Sequence, residues 1–216
     1  MSHAQPKLLL IVISAPSGGG KTTLCQQLLA ASPQIVRAVT CTTRLPRAGE
    51  KDGIDYYFLA EAAFAARVRA GDFLEHATVF GNHYGTLKAE ILNKLVQGKD
   101  VLLAIDVQGA AAVRTACKTE PGMQGALVTV FLTPPSLAIL EQRLRKRRTD
   151  APEVIQQRLS VARREIAEWT KYDYLLISTT VPEDVRRMQA IIEVEKMRTS
   201  RSELPEVESQ GCDSKH

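Results

Sequence analysis

The sequence predicts an α/β protein: a doubly wound sheet of five parallel strands with helices on both faces and a small lobe inserted into it. Three observations carry the prediction. Apolar runs without polar alternation, such as Leu8 to Ile13, Val101 to Ile105 and Leu127 to Leu132, read as strands covered on both faces. Helical patterns alternate with them, as crossover connections between parallel strands require. The first run also passes directly into Ser14-Ala15-Pro16-Ser17-Gly18-Gly19-Gly20-Lys21-Thr22-Thr23, a glycine loop that opens a helix.

Taken in order, Lys7 to Ile13 is the first strand, and Leu24, Leu28 and Leu29 give the helix from Thr22 to about Ala31 an inward face before Ser32-Pro33 closes it. A second strand spans Ile35 to Thr40. Residues 42–50, Thr-Thr-Arg-Leu-Pro-Arg-Ala-Gly-Glu, have neither period and form an extended loop. Asp55 to Leu59 is a short strand, Glu61 to Ala70 a helix ended by Gly71, and Phe73 to Phe80 a strand that Gly81-Asn82 turns toward Tyr84-Gly85-Thr86. These short strands form the separate lobe. A helix from Leu87 to Leu95, ended at Gly98, returns the chain to the strand Val101 to Ile105; a helix from Gly109 to Cys117 and the strand Leu127 to Leu132 follow. Pro134-Pro135-Ser136 and Pro152 open the next two helices, the latter running to Lys171. Asp173 to Ser178 is the last strand and Pro182 to Met197 the last helix. The tail after Arg198, rich in Ser, Glu and Pro, is expected to be disordered.

Length and composition exclude several classes. The 216 residues, 44% hydrophobic and 24% charged, describe one globular domain with room for insertions. The apolar run near the N-terminus is too short for a membrane span or an export signal, so the expected location is cytoplasmic. The formal charge of +4 is local: of 28 basic residues, Arg143, Arg145, Lys146, Arg147 and Arg148 supply five, and the remaining 23 face 24 acidic ones. That cluster reads as a solvated helix face, a nucleic-acid patch or, beside a phosphate loop, a mobile cover for bound phosphates. Cys25, Cys41, Cys117 and Cys212 lack the spacing of a zinc site or disulfide framework, and His76 and His83 lack a partner motif.

The glycine loop approximates G-x-x-x-x-G-K-[ST], a P-loop, with Ala15 at the first position. Its glycines let backbone N–H groups converge on an anion, Lys21 adds a point charge, and Thr22 can ligate Mg²⁺. Arg44 and Arg47, restrained by Pro46, can present two guanidinium groups to a second anion; a solvated basic loop is the simpler alternative. Asp106, at the carboxyl end of its strand, either helps hold a metal or caps the next helix. Two anion sites suit phosphoryl transfer onto a monophosphate, whose oxygen is already a nucleophile and needs no dedicated base. A guanine acceptor would offer N1–H and N2–H to Glu75 and its O6 to a hydroxyl such as Thr86 or Thr40.

Six segments carry a resemblance: Pro16-Ser17-Gly18-Gly19-Gly20-Lys21, the loop 42–50, Gly53-Ile54-Asp55-Tyr56, Phe73-Leu74-Glu75, residues 81–86 (Gly-Asn-His-Tyr-Gly-Thr) and Ile105-Asp106-Val107-Gln108-Gly109. Together, over about residues 8 to 198, they resemble guanylate kinases. The resemblance implies Mg²⁺-dependent transfer of the γ-phosphoryl group of ATP to GMP, and to dGMP, in purine nucleotide metabolism, with no nucleic-acid or membrane partner. It implies a single domain over 1–198: a core (7–39, 97–142 and 159–198), a GMP-binding lobe (40–96) and a mobile lid (143–158), followed by the tail 199–216. Carried over by position, Ala15, Pro16, Ser17, Gly18, Gly19, Gly20, Lys21, Thr22 and Thr23 hold the ATP phosphates, with Mg²⁺ at Thr22. Arg44, Arg47, Tyr56 and Tyr84 hold the GMP phosphate, with Asp106 nearby, and Thr40, Glu75 and Thr86 read the guanine. Lys21, Arg44, Arg143, Arg147 and Arg158 approach the transferring group.

Four departures qualify the resemblance. Ala15 replaces the first glycine; Ala104 stands where such kinases carry the first of two carboxylates; Lys146 and Arg148 replace lid glycines; and Ser178 replaces an Asn at the adenine. A catalytically weak nucleotide- or protein-binding module of the same fold and a kinase for another monophosphate are the alternative readings.

Overall fold

A computed structural model describes residues 8–79, 81–146 and 151–202. The chain opens with β1 (Leu10–Ser14), passes through the glycine loop into α1 (Lys21–Ala31), and continues as β2 (Ile35–Arg37). It then leaves this layer for β3 (Cys41–Thr42), β4 (Tyr57–Phe58), α2 (Glu61–Ala70), β5 (Phe73–Val79) and β6 (Asn82–Leu87). Helix α3 (Lys88–Val96) leads back to β7 (Asp100–Ala104), α4 (Val107–Ala116), β8 (Leu127–Thr133), α5 (Leu137–Lys146), α6 (Pro152–Ala167), β9 (Tyr174–Ile177) and α7 (Val181–Lys196).

The main sheet is fully parallel with order β2-β7-β1-β8-β9. Alternate residues from Leu9 to Ile13 serve opposite cores, which is why that run carries no polar residue. Leu10 and Val12 pack with Ile91, Leu95, Ala110 and Val113 beneath α3 and α4, while Leu9, Ile11 and Ile13 pack with Leu24, Leu28, Met188 and Ile192 beneath α1 and α7. The second sheet, ordered β4-β3-β6-β5, has a smaller core of Cys41, Phe64 and Phe73. Gly85 of β6 is required there, because a Cβ at that position would stand 2.8 Å from the Phe73 ring. Helices α5 and α6 form a third packing unit through Leu140, Leu144, Ile155 and Leu159. Cys25, Cys41 and Cys117 are buried free thiols, pushed up to about 11 chiefly by burial; Cys212 lies outside the described residues.

Several expected boundaries shift for identifiable reasons. The second strand stops at Arg37 rather than Thr40, because Ala38 N–H makes the last bond to the main sheet, to Leu102 O at 2.9 Å, and Val39 N–H turns to the Glu90 carboxylate at 2.8 Å. The expected strand from Asp55 is reduced to Tyr57–Phe58: residues 51–56 form a turn in which Asp55 N–H bonds Lys51 O and Gly53 N–H bonds Tyr56 O. The helix expected to reach Lys171 tightens at Ala167 into a 3₁₀ turn over Glu168–Lys171. The expected tail begins with order: Thr199–Arg201 is a 3₁₀ turn whose buried Arg201 donates to Gly125 O (2.7 Å) and Leu127 O (2.9 Å) and pairs with buried Glu195. Residues 203–216 lie outside the described residues.

Candidate active site

The glycine loop turns between β1 and α1 on residues that only glycine suits. Gly18 and Gly20 have φ of 88° and 98°, and a Cβ on Gly19 would stand 2.9 Å from Pro16 O. Ala15, at the first position of the motif, is buried without such a conflict. Gly20 caps α1 without a side-chain bond, so the first N–H groups of the helix are served by no cap residue and suit an anion. Thr22 and Thr23 are exposed in the first turn. Lys21 lies back along the loop, its ammonium donating to Ile105 O at 2.7 Å beyond the end of β7. Burial lowers its pKa, while Cys25, Asp106 and Glu165 oppose that shift.

A cavity of about 380 Å³ runs beside the loop between Gly18, Gly20, Thr23, Leu132, Arg143 and Ser178. Helix α5 closes one wall: a Cβ at Gly18 would meet Leu144 at 2.8 Å, and the Arg143 guanidinium reaches Gly19 O at 3.5 Å. At the far wall Ser178 Oγ donates to Asp184 at 2.7 Å and Thr179 N–H donates to the other oxygen of that carboxylate at 3.0 Å. Arg158 sits half-buried on α6. Arg147 and Arg148, expected in this segment, lie outside the described residues.

The second group is built on the inserted lobe. Glu50 organises the arginine loop, accepting from the Arg44 guanidinium on both oxygens at 2.9 Å and from Arg47 N–H at 2.8 Å. The Arg47 amide and then the Arg44 guanidinium hold its carboxyl below the ordinary range. Arg44 also stacks over the Tyr56 ring at 5.5 Å, and Tyr56 meets Tyr84 edge-on at 6.2 Å, so three of the four residues expected at one phosphate converge. Arg47 projects its side chain into solvent. Deeper in the lobe, Thr86 Oγ1 donates to Glu75 at 2.6 Å. Glu75 is 7% exposed, and burial, seconded by Asp106, raises its pKa against the Thr86 bonds. The Thr86 proton is therefore committed to Glu75 rather than presented to a ligand. Thr40 lies half-exposed where the chain enters the lobe, its carbonyl taking Tyr57 N–H at 2.9 Å.

The two groups meet at the start of α4. A Cβ on Gly109 would stand 3.1 Å from Glu75 Oε2, and Gly109 N–H donates at 2.8 Å to Asp106, which caps the helix and influences both Lys21 and Glu75. Asp106 thus caps α4 with one of its oxygens. Two carboxylates escaped the sequence reading. Glu50 follows Arg47 by three residues, a turn spacing that signals its role. Glu165 lies in Arg163-Arg164-Glu165, which reads as a solvated helix face; in the structure one oxygen is buried without a direct partner and its pKa is raised, chiefly by burial.

Comparison with known proteins agrees with this geometry. A family model described as guanylate kinase matches residues 7–195. The chain belongs to the guanylate kinase family. The guanylate kinase of Symbiobacterium thermophilum is 43% identical over 198 residues, spanning 92% of this chain and 90% of that protein. That of Syntrophotalea carbinolica is 45% identical over 193 residues, covering 89% of each. Among solved structures, guanylate kinase from Anaplasma phagocytophilum superposes with a TM-score of 0.72 at 32% identity over 92% of each chain. The parallel five-stranded sheet with its glycine loop is thus the guanylate kinase fold, and the glycine loop and the arginine–tyrosine cluster lie within the matched span.

Proposed function

We propose that this chain transfers the γ-phosphoryl group of ATP to GMP, giving ADP and GDP. The observation that supports the reading is family membership in a chain whose glycine loop keeps left-handed Gly18 and Gly20 and leads into α1 through Lys21 and Thr22. The glycine loop, residues 15–23, takes the ATP phosphates, and the cavity between Thr23 and Ser178 takes the nucleoside. Arg44, Arg47, Tyr56 and Tyr84 take the GMP phosphate, while Glu75 and Thr40 read the guanine, Thr86 orienting the Glu75 carboxylate through the bond it donates, with Asp106 between the two sides. In units of the fold, residues 7–39, 97–142 and 159–198 are the core, 40–96 the GMP lobe and 143–158 the lid.

The chemistry follows from charge. The GMP phosphate is itself the nucleophile, so the protein's task is alignment, neutralisation and exclusion of water. Lys21 leaves Ile105 O for the phosphates; Arg143, Arg147 and Arg158 neutralise the equatorial oxygens as the lid closes. Arg44 arrives already oriented by Glu50, which lowers the entropy lost on binding. Mg²⁺ fits the oxygens present: Thr22 is exposed beside the loop, Asp106 is close to Lys21, and no group of three or more His, Cys, Asp or Glu side chains that could cage a cation occurs among the described residues. Such a sparse set suits an ion that keeps water and phosphate ligands. Its bound charge would offset that of the β- and γ-phosphates.

The reading includes dGMP, since no assigned residue addresses the ribose, and a cytoplasmic setting. No helix among the described residues is long and apolar enough to cross a membrane. A coupled ADP-release assay with ATP, Mg²⁺ and a panel of GMP, dGMP, AMP, UMP and dTMP tests it. Turnover of GMP and dGMP alone is expected; no turnover, or equal use of AMP, overturns it.

A further inference from the structure

We infer that Glu90 is a positioning residue that clamps the entrance of the lobe to the core and so sets the geometry of the GMP side. The inference rests on the assignment of GMP to the lobe. Glu90 lies in the first turn of α3, whose Ile91 and Leu95 are packed into the core beneath the main sheet, and it is 9% exposed. Its carboxylate accepts from Val39 N–H at 2.8 Å, from the Tyr57 hydroxyl at 3.2 Å and from the Lys94 ammonium at 2.7 Å.

Val39 occupies a particular place. Ala38 N–H makes the last hydrogen bond to the main sheet and Thr40 O accepts the first one from the lobe, from Tyr57 N–H. Val39 is the one residue between them, and its buried amide has neither ladder to join. A buried N–H needs an acceptor, and only a side chain reaching in from α3 supplies one here. By taking the Tyr57 hydroxyl with its second oxygen, the same carboxylate ties both strands of the entrance to one rigid helix. Thr40 follows Val39 and Tyr56 precedes Tyr57, so two residues assigned to GMP flank the clamp directly. Lys94, one turn along, offsets the cost of holding the charge out of water. Nothing in this clamp touches the glycine loop.

The test uses the full chain, with GMP and ATP varied separately and thermal stability measured alongside. Glu90→Ala is expected to raise KM for GMP about 10-fold while KM for ATP stays within about 2-fold, the loss of two hydrogen bonds at one entrance. Glu90→Gln, whose amide oxygen still accepts from Val39 N–H, should hold KM for GMP within about 3-fold, and Tyr57→Phe should raise it by about the same factor. Equal shifts in both KM values, equal effects of Ala and Gln, or an unchanged KM for GMP overturn the inference. If Glu90→Ala does not fold, Tyr57→Phe decides: a rise confined to GMP supports the clamp and no rise overturns it. Glu75→Gln run in parallel separates the two levels. If that variant impairs GMP selectively and the Glu90 and Tyr57 variants do not, the clamp alone is wrong; if it too leaves GMP unaffected, the lobe assignment falls.

Discussion

Glu75→Gln changes one atom at the centre of the proposed guanine site, and the structure fixes what that atom faces. Thr86 Oγ1 already donates to Glu75 Oε1 at 2.6 Å, so the amide oxygen of a Gln would take that bond and its NH₂ would occupy the Oε2 position beside Gly109. One of the two guanine N–H donors would then face the NH₂ instead of a carboxylate oxygen. A charge-assisted hydrogen bond contributes about 1.5–3 kcal/mol, and turning it into a donor–donor contact adds the cost of an unpaired buried group, about 1–3 kcal/mol. Together these give about 2.5–6 kcal/mol, or roughly 10²- to 10⁴-fold in kcat/KM for GMP. KM for ATP should move less than about 2-fold, because the glycine loop is untouched. Steady-state kinetics with each substrate varied in turn reads both numbers, and an unchanged kcat/KM for GMP would refute the reasoning. The same substitution carries a stability signature. Burial raises the folded-state pKa of Glu75 above its ordinary 4.5. The folded state therefore holds a proton that the unfolded state has released, and stability is lost as pH rises from 4.5 through the raised value. A Gln removes that loss, so the variant should gain stability relative to the parent at neutral pH and none at acid pH. Urea titrations at pH 4 and 7 check the sign; a parallel pH dependence in the two proteins contradicts it.

Other expectations follow from single contacts. Arg47→Ala removes a solvent-facing guanidinium while leaving the backbone bond to Glu50, so KM for GMP should rise by about 10-fold with Tm unchanged, since a charged hydrogen bond to phosphate contributes about 1.5–3 kcal/mol. Equal effects on the two nucleotides would contradict the assignment. Arg201→Ala takes one of three partners from buried Glu195, leaving it the Tyr174 hydroxyl and Arg198, and removes the donor from the Gly125 and Leu127 carbonyls; it should cost about 2–3 kcal/mol, a fall in Tm on the order of 5–10 °C, without altering either KM. A variant as stable as the parent by calorimetry would show that the anchored turn after α7 contributes nothing.

The parts of this fold that were legible in the sequence are those decided by local chemistry. Helix α2 runs over Glu61–Ala70 and stops at Gly71, whose φ of 70° satisfies Arg67 and Val68 carbonyls, because a helix face and a left-handed stop are written within one short segment. The three central strands β1, β7 and β8 were equally legible, since burial on both faces leaves a nearly uninterrupted apolar run. What escaped depends on partners distant in the chain. Nothing near Arg37 announces that β2 ends there; the reason is a carboxylate 51 residues away from Val39. Nothing in Thr199–Arg201 announces order; the reason is a pair of carbonyls more than 70 residues earlier. The same rule divides the site. The glycine loop, the arginine loop and Glu75 carry their chemistry in residue type and spacing, whereas the Thr86 proton is spoken for by Glu75, a fact that only the folded arrangement contains.

The departure at Ala104 has a physical rationale in the electrostatics around Lys21. Its side chain follows the buried part of β7 and faces solvent, and beyond it Asp106 spends one oxygen capping α4. Lys21 is depressed by burial and supported by Cys25, Asp106 and Glu165. In the proposed reaction a carboxylate at 104 would add negative charge at the end of β7, next to the carbonyl that Lys21 bonds, so its absence would reduce repulsion toward phosphates held there and would matter only if that carboxylate were needed to hold the metal. An ion delivered with the nucleotide, with phosphate and water as most of its ligands, makes a smaller demand on the protein. On that balance the proposed phosphoryl transfer would depend on Lys21 and the arginines assigned to the transferring group rather than on a carboxylate at 104.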